Sequence, residues 1–196
     1  MDEIELKITH LSYQDIKERL ERMEALKIFD RQLVRDYFFA RFENGKQKSN
    51  VRLRSIGKNG RLTLKTKQKD DNFKIYRELE VGVSHPNVMR RILKLMGYTL
   101  TGYREKWREE FRWNKVLAEI DTYPGMDPYL EIESDNKSHL LDFLKVFGVS
   151  LDETSKLTSK ELIESRGLSS NMLRFEQDNH LHNRTKQKKN HKLGNR

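Results

Sequence analysis

Eight short segments of this chain alternate apolar and charged residues with a period of two, the period of a β-strand. They fall at residues 3–8, 34–42, 51–56, 62–67, 74–81, 103–113, 116–122 and 129–133. In the first, Glu3, Glu5 and Lys7 share one face, and Ile4, Leu6 and Ile8 the other. Arg52 and Arg54 likewise oppose Val51 and Leu53, Lys65 and Lys67 oppose Leu64, and Glu78 and Glu80 oppose Leu79 and Val81. Arg104, Lys106 and Arg108 oppose Tyr103 and Trp107, Glu119 and Asp121 oppose Ala118 and Ile120, and Glu131 and Glu133 oppose Leu130 and Ile132. The pattern puts eight acids and eight bases on one side of an antiparallel sheet.

A solvated face would account for the charges of any one strand. Such a face also carries Ser, Thr and Gln, however, whereas ionised groups here fill nearly every slot. Apolar residues make up 35% of the chain and charged residues another 35%, too few apolar side chains to fill both faces of a large sheet. Four amphipathic helices are predicted between the strands, able to cover the apolar face from outside. Ser12 caps one reaching about Lys27, with Ile16, Leu20, Met23 and Leu26 on one side. Ser84 caps a second, with Val88, Ile92, Leu95 and Met96 inward and Gly97 as its stop. A third spans about 136–148 and carries Leu140, Leu141, Phe143, Leu144 and Phe147. A short fourth starts near Thr158 with Leu162 and Ile163. The predicted fold is α+β: an eight-stranded antiparallel β-barrel with a charged lumen, covered by outer helices. Residues 57–60 and 113–115 read as hairpin turns, and 44–49 and 68–73 as loops at the barrel mouth.

Ionised groups inside a lumen are costly unless they pair with one another, hold metal or hold a charged ligand. Arginine forks suit phosphate oxygens, and carboxylates suit hard cations such as Mg²⁺ or Mn²⁺. A metal–polyphosphate complex therefore matches this lumen better than either component alone.

The formal net charge is +9, but from Ser169 onward seven Lys/Arg face only Glu176 and Asp178. More than half of the surplus thus sits at the C-terminal end. Residues 1–166 are read as the folded domain and 167–196 as a basic disordered tail. The tail suits nonspecific nucleic-acid binding, or serves only to keep the chain in solution. Absence of cysteine excludes disulfides, thiolate zinc sites and cysteine nucleophiles. The acidic, alternating start leaves no place for a signal peptide, and no apolar run reaches membrane-spanning length. A cytoplasmic protein without membrane contact, monomeric or homodimeric, is expected.

Several of these strands resemble the motifs of the CYTH, or triphosphate tunnel, family. Glu3-Ile4-Glu5-Leu6-Lys7 is similar to its opening ExExK. Arg52-Leu53-Arg54 resembles RxR, and Lys65 sits where the next strand supplies a lysine. Arg77-Glu78-Leu79-Glu80 resembles the acidic middle strand, Lys106-Trp107-Arg108 KxR, Glu119-Ile120-Asp121 the late acidic segment, and Tyr129-Leu130-Glu131-Ile132-Glu133 the closing EIE strand. There are departures. Phe38 stands at the spacing of a second-strand tyrosine, Lys160 replaces the tyrosine of a Ser-Tyr-x-x-Leu element, and Arg77 alternates onto the apolar face.

The resemblance implies a tunnel acting on a triphosphate with Mg²⁺ or Mn²⁺. Lys7, Arg52, Arg54, Lys65, Lys106 and Arg108 would hold the triphosphate. Glu3, Glu5, Glu119, Asp121, Glu131 and Glu133 would hold metal, with Lys65, Glu5 and Asp121 closest to the chemistry. Hydrolysis of inorganic, nucleoside or thiamine triphosphate is the leading activity. The alternatives are class IV adenylyl cyclase chemistry, giving cyclic AMP and pyrophosphate from ATP, and a non-catalytic module binding polyphosphate or RNA ends.

Overall fold

The computed structural model describes residues 2–67 and 74–176; the side chains at 2, 65–67 and 74–78 lie outside that description. Strands β1 (Asp2–Ile8), β2 (Leu26–Glu43), β3 (Lys46–Ile56), β4 (Asn59–Lys67), β5 (Lys74–Val83), β6 (Thr99–Trp113), β7 (Val116–Thr122) and β8 (Tyr129–Ser134) form one antiparallel sheet. Its order is β2-β3-β4-β5-β1-β8-β7-β6, and pairing of β6 back onto β2 closes the ring. Closure removes both sheet edges and gives the strands an inside and an outside. The eight-stranded barrel expected from the alternation is the observed fold.

Four helices among the described residues cover the wall, in three clusters. On one side, Ile16 and Leu20 of α1 (Tyr13–Arg22) and Leu140, Phe143, Leu144 and Phe147 of α3 (Lys137–Phe147) bury against Ile4, Leu6, Ile8, Ala118, Ile120, Leu130 and Ile132. Helix α2 (Pro86–Leu95) packs Leu93 and Met89 on Phe39, Leu53 and Val83. A third cluster joins Leu162 and Ile163 of α4 (Ser159–Ser165) to Tyr123 and Tyr129. Trp113 meets Phe143 edge-on beneath α3, as its place on the apolar face suggests. Trp107 instead lies 6.0 Å from Phe175.

Four local expectations are corrected. Helix α1 ends at Arg22 instead of Lys27, because Glu24 turns left-handed (φ 56°) and Leu26 already pairs with Arg112 of β6. Residues 44–49 are not a loop: Asn44 and Gly45 both take positive φ, the geometry of a two-residue hairpin, and β3 starts at Lys46. On α2, the stripe expected to face inward is outside, with Leu95 89% exposed. The helix is apolar on two flanks, and Pro86, Met89 and Leu93 win the contact with the sheet. Finally, ordered packing continues beyond residue 166. Met172–Leu173 form β9, parallel to β6, and Ser170 is buried. The segments 68–73 and 177–196 lie outside the described residues. No helix among the described residues is long and apolar enough to cross a membrane.

Candidate active site

Alternation along the closed strands turns the ionised residues into the barrel. Glu5, Lys7, Lys106, Arg108, Glu119, Asp121 and Glu131 are buried there, and Glu3, Arg52, Arg54 and Glu133 are partly buried. They form a chain of ion pairs. Asp121, fully buried, accepts from Lys106 Nζ at 2.7 Å and from Arg108 Nε and a terminal guanidinium nitrogen at 2.6 Å each. Arg108 also pairs with Glu119 and, at 3.5 Å, with Glu131. Lys7 joins Glu131 at 2.6 Å and contacts Glu5. Arg54 grips Asp36 through Nε at 2.9 Å and a second nitrogen at 3.3 Å.

These contacts set the charge states. Burial would raise the carboxyl of Asp36, but Arg54, Arg52 and Lys106 hold it well below the usual carboxylate range. Asp121 is lowered against burial by Arg108 and Lys106, and Glu131 is held well below its ordinary range by Lys7, Lys106 and Arg108. Glu119 goes the other way. Burial pushes it up to about 7, Asp121 and Glu131 add to the rise, and Arg108 offsets only part of it.

A cavity of about 470 Å³ opens at one end of the lumen. Basic side chains of Arg52, Arg54, Arg104 and Lys106 line it, with Glu5, Asp36 and Glu131. Phe38 and Tyr123 add aromatic surface, and Thr158, Ser159 and Lys160 reach it from the start of α4. Two polar atoms inside the barrel are buried without a hydrogen-bond partner among the described residues: the donor Arg52 Nε and the acceptor Glu119 Oε2. Buried polar atoms in folded proteins are almost always satisfied, so an orphan donor and an orphan acceptor in one lumen mark it as built for something else.

The acids also fit a cation. Carboxylate oxygens of Glu3, Glu5 and Glu133, and separately of Glu119, Glu131 and Glu133, lie within 4.8 Å of one another. An all-oxygen set suits a hard divalent ion. Asp121 belongs to neither group, its oxygens being taken up by Lys106 and Arg108. Of the phosphate-binding candidates, Arg52, Arg54 and Lys106 line the cavity, whereas Lys7 and Arg108 sit deeper in the ion-pair chain. The backbone of Lys65 pairs with Glu78; the side chains of Lys65, Lys67, Arg77 and Glu78 lie outside the described residues.

Asp36, Arg104, Tyr123 and Lys160 line the cavity but carried no phosphate or metal role in the sequence reading. Arg104 shares the charged face of its strand, and that signal was sufficient to include it. Its Nε donates to the Ser170 carbonyl at 2.7 Å and its guanidinium lies 4.4 Å from the Phe38 ring. Phe38 does face the lumen in place of a tyrosine, while Tyr37 faces out against Tyr103.

The class is a closed antiparallel barrel with a charged, largely self-paired lumen that opens at a cavity lined by Arg52, Arg54, Arg104 and Lys106. The CYTH domain profile matches residues 1–162, and the chain belongs to the CYTH domain family. It is 24% identical over 179 residues to a Methanocaldococcus jannaschii protein named "putative adenylate cyclase", covering 86% of this chain and all of that one. A solved Pyrococcus horikoshii OT3 protein superposes with a TM-score of 0.68 at 23% identity, over 82% of this chain and 98% of its own. A Hippeastrum protein, described as a putative adenylyl cyclase with a dominant triphosphatase activity, gives 0.56 at 17% identity, over 85% and 96%.

Proposed function

We propose that this chain hydrolyses the terminal phosphate of a triphosphate held in the barrel. The orphan pair inside the lumen, Arg52 Nε and Glu119 Oε2, carries the reading: one lacks an acceptor, the other a cation or donor. A metal–triphosphate complex supplies both. Arg52, Arg54, Arg104 and Lys106 take phosphate oxygens at the cavity, and Lys7 and Arg108 extend the cationic lining inward. Glu3, Glu5, Glu119, Glu131 and Glu133 would hold the ion, and Asp121 would be free to join them where triphosphate takes over Lys106 and Arg108. Bound Mg²⁺ or Mn²⁺ neutralises phosphate charge and acidifies water.

The chain's residues position the rest. The oxygen of water bonds to the terminal phosphorus, the bond from that phosphorus to its bridging oxygen breaks, and the leaving diphosphate keeps the electron pair. The proton of water passes to a lumen carboxylate, Glu5 or Asp121. Catalysis is then chiefly orientation and charge stabilisation in a site shielded from bulk water.

A cyclase reading has its own observation. Phe38 and Tyr123 give the cavity aromatic surface on which an adenine could lie, and the M. jannaschii relative carries a cyclase name. Product analysis separates the two. Purified protein is incubated with Mg²⁺ or Mn²⁺ and, in turn, inorganic triphosphate, ATP, GTP and thiamine triphosphate. Phosphate release that EDTA and Glu5→Gln both abolish supports hydrolysis. Cyclic AMP with pyrophosphate makes the chain a cyclase, and tight binding without turnover leaves a polyphosphate-binding module.

A further inference from the structure

A second cavity, about 910 Å³, lies on the outside of the same wall. Strands β2 and β6 build both sites. Asp36, Phe38, Arg104 and Lys106 point into the barrel, and their neighbours Arg35, Tyr37, Tyr103 and Glu105 point out, so alternation sets the two cavities back to back. Arg90 of α2 closes the outer groove on one side, and Arg174 and Phe175 close it on another.

Its lining sets three arginines, Arg35, Arg90 and Arg174, among aromatic rings, and also carries the acids Glu105 and Glu176. The Arg90 guanidinium lies over the Tyr37 ring at 4.3 Å, and Tyr37 meets Tyr103 at 4.9 Å. The carboxylate of Glu105 is already engaged. It accepts from Tyr103 Oη at 2.5 Å, Arg35 Nε at 3.2 Å and the Phe175 backbone N–H at 3.0 Å. Arg90 Nε, by contrast, is buried with no hydrogen-bond partner among the described residues. Three side-chain atoms share that condition, and the other two mark the lumen site. The third marks this groove by the same argument.

We infer that the outer groove is a nucleotide site separate from the tunnel. Guanidinium forks match a phosphate bidentately, and aromatic faces stack a base without regard to its identity. The volume falls within the range of small-ligand pockets, roughly 300–1,000 Å³. The ligand chemistry is therefore a phosphate beside an aromatic base, whether a free mononucleotide or one residue of a single-stranded nucleic acid. The inference does not depend on which reaction the lumen performs.

Calorimetric titration of the full chain tests it, in EDTA and with the tunnel filled by excess inorganic triphosphate. The probes are AMP and a short single-stranded RNA with a 5′-hydroxyl end. The groove should still bind, and Arg90→Ala and Arg174→Ala should each weaken binding about tenfold, the effect of one charge-assisted contact. Both variants should bind inorganic triphosphate like the parent, which shows that they fold. Binding of AMP identifies a free-nucleotide site; binding of RNA alone identifies a strand-binding site. The inference is overturned if neither probe binds, if inorganic triphosphate competes the probe away, or if neither variant weakens it. The last result would assign binding elsewhere, such as the basic C-terminal residues.

Discussion

Asp121→Asn tests whether the lumen's bases are paired for structure or reserved for ligand. Asp121 is fully buried and accepts three short hydrogen bonds from Lys106 and Arg108. Asparagine can accept at one oxygen but turns an NH₂ group toward the cations at the other. Two buried cations then face too little negative charge. Removing one partner of a buried ion pair costs about 3–5 kcal/mol, and for a chain of this size that lowers the melting temperature by roughly 6–20 °C. Inorganic triphosphate should reverse much of the loss even in EDTA, because its oxygens replace the missing carboxylate. At a hundred times Kd a ligand adds about 2.7 kcal/mol. The parent must first break the Asp121 contacts to bind, so the variant should bind metal-free triphosphate more tightly and show the larger thermal shift. Differential scanning calorimetry with and without triphosphate reads both effects. Glu109→Gln is the control. Glu109 is a buried acid of the outer wall, bonded to Tyr13 and Lys17, so its loss should destabilise without changing the response to triphosphate. Equal triphosphate shifts in the parent and Asp121→Asn, or a smaller one in the variant, would refute the exchange.

Asp36 should shape the acid limb of stability. Its folded carboxyl lies below the ordinary 3.8, so the unfolded chain binds the extra proton. Its contribution is therefore complete above about pH 4 and is lost as pH falls through the folded value. Urea melts of Asp36→Asn should be less stable near neutrality and should flatten on acidification; a parallel curve would show that Asp36 does not titrate this way. Gly60→Ala should cost about 1–3 kcal/mol in urea midpoint, because its Cβ would stand 2.4 Å from the Arg54 carbonyl oxygen and 2.8 Å from the Pro86 ring. Gly82→Ala, with nothing within 4 Å, should stay within about 0.5 kcal/mol.

What the sequence made legible follows from how cleanly each strand separates its faces. β1, β7 and β8 alternate strictly, and their acids and Lys7 lie inside as expected. β2 does not. Val34, Asp36, Phe38 and Ala40 look inward while Arg35, Tyr37, Phe39 and Arg41 look outward, so both faces mix polarity. Its 18-residue length and its closing pairing with β6 were therefore hidden, and with them the Asp36–Arg54 pair. Helix α2 failed differently: periodicity found the helix, but two apolar flanks left its orientation to be decided by the sheet beneath. The cavity's outer rim was out of reach for a third reason. Tyr123 ends its wall position just past β7, and Lys160 belongs to a short helix. Neither place is set by alternation.

The segment after α4 joins these parts. Composition alone groups residues 167–176 with the basic tail, yet they form contacts that a solvated tail has no reason to make. The Tyr103 backbone N–H donates to the Asn171 carbonyl at 2.8 Å, and the Ser170 carbonyl holds Arg104 Nε. Five residues beyond Ser170, the Phe175 N–H donates to Glu105 on the opposite face of the same strand. One short stretch of chain therefore fixes Arg104 toward the lumen and Glu105 toward the outer groove. A ligand that moves Phe175 in the groove acts on the segment that aims Arg104 at the tunnel cavity. Coupling between the two sites has a physical route, from Arg104 through the segment 170–175 to Glu105.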